Sequence, residues 1–162
     1  MNPIAELEIG LHRREAETVA VEFRFSLPES DAEIRIGQGI ARFDSAALAQ
    51  LSPGGAEYAQ ALTKSLFADP AVLSAFTQAY ASAQSQGLDL RLRIFIGPSA
   101  PELHSVRWET LRDPERDAPL LTGENLIFSR YLSAEDWRPV RLRPKARLKA
   151  LIVVANPSNL PE

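Results

Sequence analysis

Leu88-Asp89-Leu90-Arg91-Leu92-Arg93-Ile94-Phe95-Ile96 is the stretch that decides the fold class. Leu88, Leu90, Leu92, Ile94 and Ile96 fall on one side, and Asp89, Arg91, Arg93 and Phe95 on the other. A period of two marks a β-strand with one buried face. Gly97-Pro98 then stops it.

Toward the N-terminus the period lengthens. Asp69-Pro70 is a helix start: a capping carboxylate followed by proline at the first helical position. The helix it opens places Val72, Leu73, Phe76 and Tyr80 on its apolar side and stops at Gly87. Tyr58, Leu62 and Leu66, at i, i+4 and i+8, predict a helix before it. Asp44 caps a shorter one through Ala46, Ala47, Leu48 and Leu51, which Ser52-Pro53-Gly54-Gly55 breaks. Further upstream the alternation returns. Ala5, Leu7, Ile9 and Leu11 share a face, as do Val19, Val21, Phe23, Phe25 and Leu27, with a charged turn from Arg13 to Thr18 between them. Pro28-Glu29-Ser30-Asp31 turns into a third strand on Ile34, Ile36 and Ile40, interrupted by Gly37-Gln38-Gly39. Such short connections predict an antiparallel meander with one wet face.

Toward the C-terminus, Pro101 to Leu111 reads as irregular with one helical turn around Trp108, and Asp113 to Pro119 as a polar turn. Leu126, Phe128, Arg130 and Leu132 mark another strand, and Pro139 to Lys145 connects. Leu148 to Ala155 is nearly all apolar, the mark of a strand buried on both faces. The expected class is therefore mixed α/β: an antiparallel β-meander, two to three helices, and further strands ending in a buried hydrophobic strand.

Composition narrows the function. The 162 residues include 45% apolar and 24% charged types, an ordinary globular balance. There is no cysteine, so no thiol nucleophile, disulfide or Cys-ligated metal can come from these residues. Two histidines do not make a multi-His metal site. The longest apolar run, Ala150 to Ala155, is far short of the roughly 20 residues of a spanning helix. The N-terminus lacks a signal-peptide pattern. A cytoplasmic protein without membrane partners is expected. The net charge is −3, yet Arg138, Arg141, Arg143, Lys145, Arg147 and Lys149 crowd one acid-free segment. That strip carries two prolines and no aromatic for base stacking, so a connector is a better account than nucleic-acid binding.

The constellations that could carry chemistry are incomplete. His104 lies beside Ser105 and near Glu102 and Glu109, but sequence neighbours rarely face one another. Gly37-Gln38-Gly39 lacks a third glycine and a following helix, so a bulge or bend is expected instead of a phosphate cradle. Asn156-Pro157-Ser158 has proline where glycosylation forbids it. Asp113-Pro114-Glu115-Arg116-Asp117 has calcium-binding residue types without the loop spacing. No catalytic residue, cofactor or metal is expected.

Three pieces in order carry a family resemblance. They are the strand Leu90 to Ile94; Val106-Arg107-Trp108-Glu109-Thr110-Leu111-Arg112-Asp113-Pro114, with its Trp-Glu-x-Leu-x-Asp-Pro pattern; and Phe128-Ser129-Arg130-Tyr131-Leu132, followed by a connector and the strand Leu151 to Ala155. Together they resemble the opening of a CHAT domain, the caspase-like cysteine peptidase family of bacterial signalling and defence proteins. The resemblance implies a lead-in over 1–87 and the start of a CHAT-like domain over 88–162, the two packed as one unit. It implies that the hydrophobic strand opens the caspase-like sheet. The family's catalytic His and Cys then fall beyond this sequence, and neither His12 nor His104 matches that histidine. The motif residues Trp108, Glu109, Leu111, Asp113, Pro114, Arg130 and Tyr131 are then structural. Trp108 should bury a large apolar area. Glu109 and Arg130 should pair, and losing either partner would cost about 3–5 kcal/mol if solvent is excluded.

Three functions are compatible with this reading. One is a non-catalytic structural or regulatory module that positions the peptidase domain of a larger CHAT protein, its partners being the remainder of that protein. Another is an interaction or dimerisation module that uses an exposed strand. The third is nucleic-acid binding through residues 138–149.

Overall fold

The computed structural model describes residues 2–30 and 32–132. Among these residues five strands, numbered β1 to β5 along the chain, form one sheet in the order β3-β2-β1-β4-β5. β1 (Ile4–Arg13), β2 (Thr18–Ser26) and β3 (Ile34–Arg42) are the antiparallel meander, while β4 (Asp89–Ile96) and β5 (Leu126–Leu132) join parallel to β1. The fold is thus mixed α/β. α1 (Ser45–Gln50), α2 (Ala56–Leu66) and α3 (Pro70–Ser85) lie between the two halves in sequence. The long crossover through them is what lets β4 run parallel to β1.

Alternation decides which face the helices cover. Ala5, Leu7, Ile9 and Leu11 on β1, Val21 and Phe23 on β2, and Leu92 and Ile94 on β4 are fully or almost fully buried. Tyr58, Leu62 and Leu66 of α2 and Val72 and Phe76 of α3 pack into the same core. Asp44 and Asp69 cap α1 and α3, each accepting a backbone N–H of the first turn. The inward side of α3 differs from the expected stripe: Ala75, Ala79 and Ala83 are buried, whereas Leu73 and Tyr80 are only partly covered. Small side chains bring this helix close to the sheet.

β3 is where the sequence misleads most. The strand runs through Gly37-Gln38-Gly39 without interruption, and its register against β2 slips between Phe23 and Arg24. The slip leaves Ile36 in a bulge, in line with the bend expected at these glycines. Gly37, Gly39 and Ala41 pair with Phe23, Val21 and Val19 and face the core with them, Ile36 packs partly buried against that core, and Ile40 falls on the other face. A Cβ on Gly37 would stand 2.6 Å from Ala75 Cβ, and one on Gly39 2.6 Å from Val72 Cγ2. The glycines are the space that α3 occupies.

The segment expected to be irregular with one helical turn holds two 3-10 turns, Pro101–Ser105 and Trp108–Thr110. A third, Leu120–Thr122, precedes β5. The strand expected at Leu148 to Ala155, the connector before it and the basic strip 138–149 lie outside the described residues.

Candidate functional site

The Trp-Glu-x-Leu-x-Asp-Pro residues form a loop pinned at many points. Trp108 is fully buried, and its indole N–H donates to the Leu103 carbonyl at 2.9 Å. Its ring meets Phe43 edge-on at a centroid distance of 5.5 Å, joining the loop to the start of α1. Leu111 is 1% exposed. On either side of these anchors, backbone N–H groups that the loop cannot pair with itself are taken up by α2. The Arg107 amide donates to the Tyr58 hydroxyl at 3.1 Å, and the Arg112 amide to Thr63 Oγ1 at 3.0 Å. The sequence reading missed both partners. Thr63, a buried polar residue among the apolar positions of α2, is the signal that could have found one of them.

Asp113 and Pro114 then close a tight turn. Asp113 Oδ1 accepts from the Glu115 and Arg116 amides at 2.9 and 3.0 Å, the local geometry for which aspartate is preferred in turns. The chain reverses so that Leu120 N–H donates to the Leu111 carbonyl at 3.0 Å. Asp117 takes a positive φ of 50°. Its carboxylate accepts from Arg112 Nε at 2.6 Å and from Gln60 Nε2 at 2.9 Å. Those two hydrogen bonds hold it below the usual carboxylate range. The segment with calcium-type residues is therefore an internally bonded turn. Among the described residues no group of three or more His, Asp or Glu could hold a metal ion.

Arg130 and Tyr131, neighbours on β5, point to opposite faces. Arg130 is on the helix side. Its Nε lies 3.3 Å from Glu109 Oε1, and its Nη1 donates to the His104 and Val106 carbonyls at 3.2 and 3.3 Å. The side chains of the pair are 40% and 47% exposed, so the value for a solvent-excluded pair does not apply. Glu109→Gln is expected to cost about 0–1 kcal/mol in urea unfolding, as exposed pairs do. Arg130→Ala should cost more, because it also removes two charge-assisted bonds to carbonyls. Equal losses would show that those carbonyl contacts contribute nothing.

Tyr131 lies on the face that no helix of the described residues covers, in a polar network that spans three strands. Its hydroxyl donates to Glu8 on β1, and Arg93 on β4 sits over its ring at 4.6 Å from the centroid. Burial, then the hydrogen bond to Glu8, push the Tyr131 hydroxyl up to about 12. Glu6 accepts from Arg91 at 2.7 Å and from Arg93 at 2.9 Å. Burial alone would raise its pKa, but the two guanidinium hydrogen bonds outweigh that and hold it below the usual carboxylate range. The Phe95 ring lies between those of His12 and Tyr131, tilted against both, at centroid distances of 5.5 and 5.2 Å. The two histidines are far apart in role: His12 packs on this face, while His104 is in the first 3-10 turn on the other. Glu8, the partner that fixes Tyr131, was not singled out from the sequence, because the register that brings β1 near β5 is not written in either strand.

Among the described residues no helix is long and apolar enough to cross a membrane. No curated protein and no solved structure matches the chain. A family model does match, that of the CHAT domain, over residues 56–162. The match takes in α2, α3, β4, the Trp108 loop and β5, well over half of the sequence, and so the chain belongs to the CHAT domain family.

Proposed function

We propose that this chain is a non-catalytic, cytoplasmic module of a CHAT-type, caspase-like protein, a rigid support that positions the peptidase domain. One observation carries the reading: polar groups along the family motif are taken up by partners on the loop itself or on α2. The Trp108 indole, the Asp113 carboxylate and the amides of Arg107 and Arg112 all bond within the fold. Trp108, Glu109, Leu111, Asp113, Pro114, Arg130 and Tyr131 on this view shape a surface instead of doing chemistry. The sequence also holds no cysteine to supply a thiolate. The partners are the remaining domains of a larger CHAT protein, or a second copy meeting at an edge strand. Ile34, 60% exposed on β3, is the feature that favours the second.

Incubation of the purified chain with a panel of fluorogenic peptides should give no hydrolysis above buffer. Cleavage that survives repurification and scales with protein concentration would defeat the proposal. Light scattering of the same sample separates the two partner readings: a monomer fits a support for other domains, and a tight dimer fits a self-associating module.

A further inference from the structure

The family match begins at residue 56, yet the strand in the middle of the sheet, β1, comes from residues 4–13. We infer that residues 4–42 are an obligate intramolecular partner of the family-matched part, and that the surface they fill is the β4 edge together with the sheet-facing sides of α2 and α3. The inference does not depend on the proposed function, because it concerns which residues make one folding unit.

The β4 edge is built to be covered. β1 pairs along its whole length, from Ile4 opposite Asp89 to Leu11 opposite Ile96. Leu90, Leu92, Ile94 and Ile96 are at most 2% exposed with β1 in place. Among the described residues, the matched part alone supplies only two strands, β4 and β5, and they are parallel. A sheet of two strands alone is not stable by itself. Removing β1 would also strand the main-chain groups that β4 turns toward it.

Side chains across the junction are matched as well. Asp69, which caps α3, uses its second carboxylate oxygen to accept the Ile40 amide of β3 at 2.9 Å. Gly37 and Gly39 of β3 leave room for Ala75 and Val72 of α3. Glu6 of β1 receives Arg91 and Arg93 of β4, and Glu8 receives Tyr131 of β5. The Arg13 amide donates to Ser99 Oγ at 2.9 Å, and its guanidinium pairs with Glu102. The chain crosses from one part to the other through Ser52-Pro53-Gly54-Gly55, where a Cβ on Gly54 would meet nothing within 4 Å.

That open turn allows the test to be made on the whole chain. A protease recognition sequence inserted after Gly54 is cut in the folded protein, and both pieces are kept. The pieces should elute as one particle with the circular dichroism of the uncut chain. In urea they should separate and unfold in one transition, whose midpoint rises with protein concentration. Separation and unfolding together without urea would carry the same meaning. Separation that leaves the larger piece with its own, later cooperative transition would overturn the inference. Ile9→Pro in the uncut chain gives a second reading, because proline removes a ladder donor from a central strand. Amide protection should be lost in β4 and β5 together with β1. Protection that persists in β4 and β5 would count against obligate pairing.

Discussion

Trp108→Ala is expected to lower the unfolding free energy by about 3–5 kcal/mol, the range for large-to-small changes at a fully buried aromatic. For a chain of 162 residues, each kcal/mol moves the melting point by about 2–4 °C, so the melt should fall by about 6–20 °C. The loss has three sources. The indole leaves a cavity in a core where no atom of it touched solvent. The edge-on contact with Phe43 goes, which loosens the start of α1. The hydrogen bond to the Leu103 carbonyl goes too, although that carbonyl still accepts the Val106 amide at 3.3 Å. The third source is therefore small, and volume dominates. Trp108→Phe separates the two: it keeps most of the volume and no N–H, and should cost well under half as much. Equal losses for the two variants would assign the anchor to the hydrogen bond. A loss below about 1 kcal/mol for Trp108→Ala would remove the loop from the core account, since a surface substitution does no more than that.

The elements were legible in the sequence where local chemistry fixes them. The alternation of residues 88–96, the Asp69-Pro70 start and the Asp44 cap depend on neighbours a few positions away. The structure has strand and helices at those places, with boundaries shifted by a residue or so. What could not be read were consequences of register. Ile40 looks like a core residue on β3 until its pairing opposite Ala20 sets it on the other face from Gly39 and Ala41, and Ile36, at the slip opposite Phe23 and Arg24, packs only partly against the core. The partners of the Trp108 loop were hidden for a similar reason. Tyr58 and Thr63 sit 49 residues away from the amides they accept, and only the packing of α2 brings them there. Tyr131 could be picked out on β5, but its bond to Glu8 crosses β4 and 123 positions of sequence. The pairing of Glu109 with Arg130 was within reach because both belong to adjoining segments. Its exposure was not, since accessibility is a property of the whole surface.

Gly37→Ala tests the register account most directly. Two explanations of that glycine predict different outcomes. If it is needed for backbone freedom at the bulge, any side chain is harmful whatever stands opposite. If it is needed for room, the harm depends on Ala75, whose Cβ would lie 2.6 Å from the new methyl. The second is favoured, because the only positive φ at a glycine among the described residues is that of Gly87. Gly37 thus holds a conformation that alanine also adopts. Forcing the methyl in pushes α3 off β3, and overpacking of this kind costs about 1–3 kcal/mol. Ala75→Gly alone should cost about 1 kcal/mol through helix propensity and a small void. The double variant should then be more stable than the sum of the two losses predicts, because each change removes the clash or fills the gap left by the other. Urea unfolding of the four proteins closes the cycle. Strict additivity would return the glycine to the backbone explanation. A positive coupling of about 1 kcal/mol or more, in the range for residues in contact, would show that α3 and the meander are fitted to each other across the start of the family match.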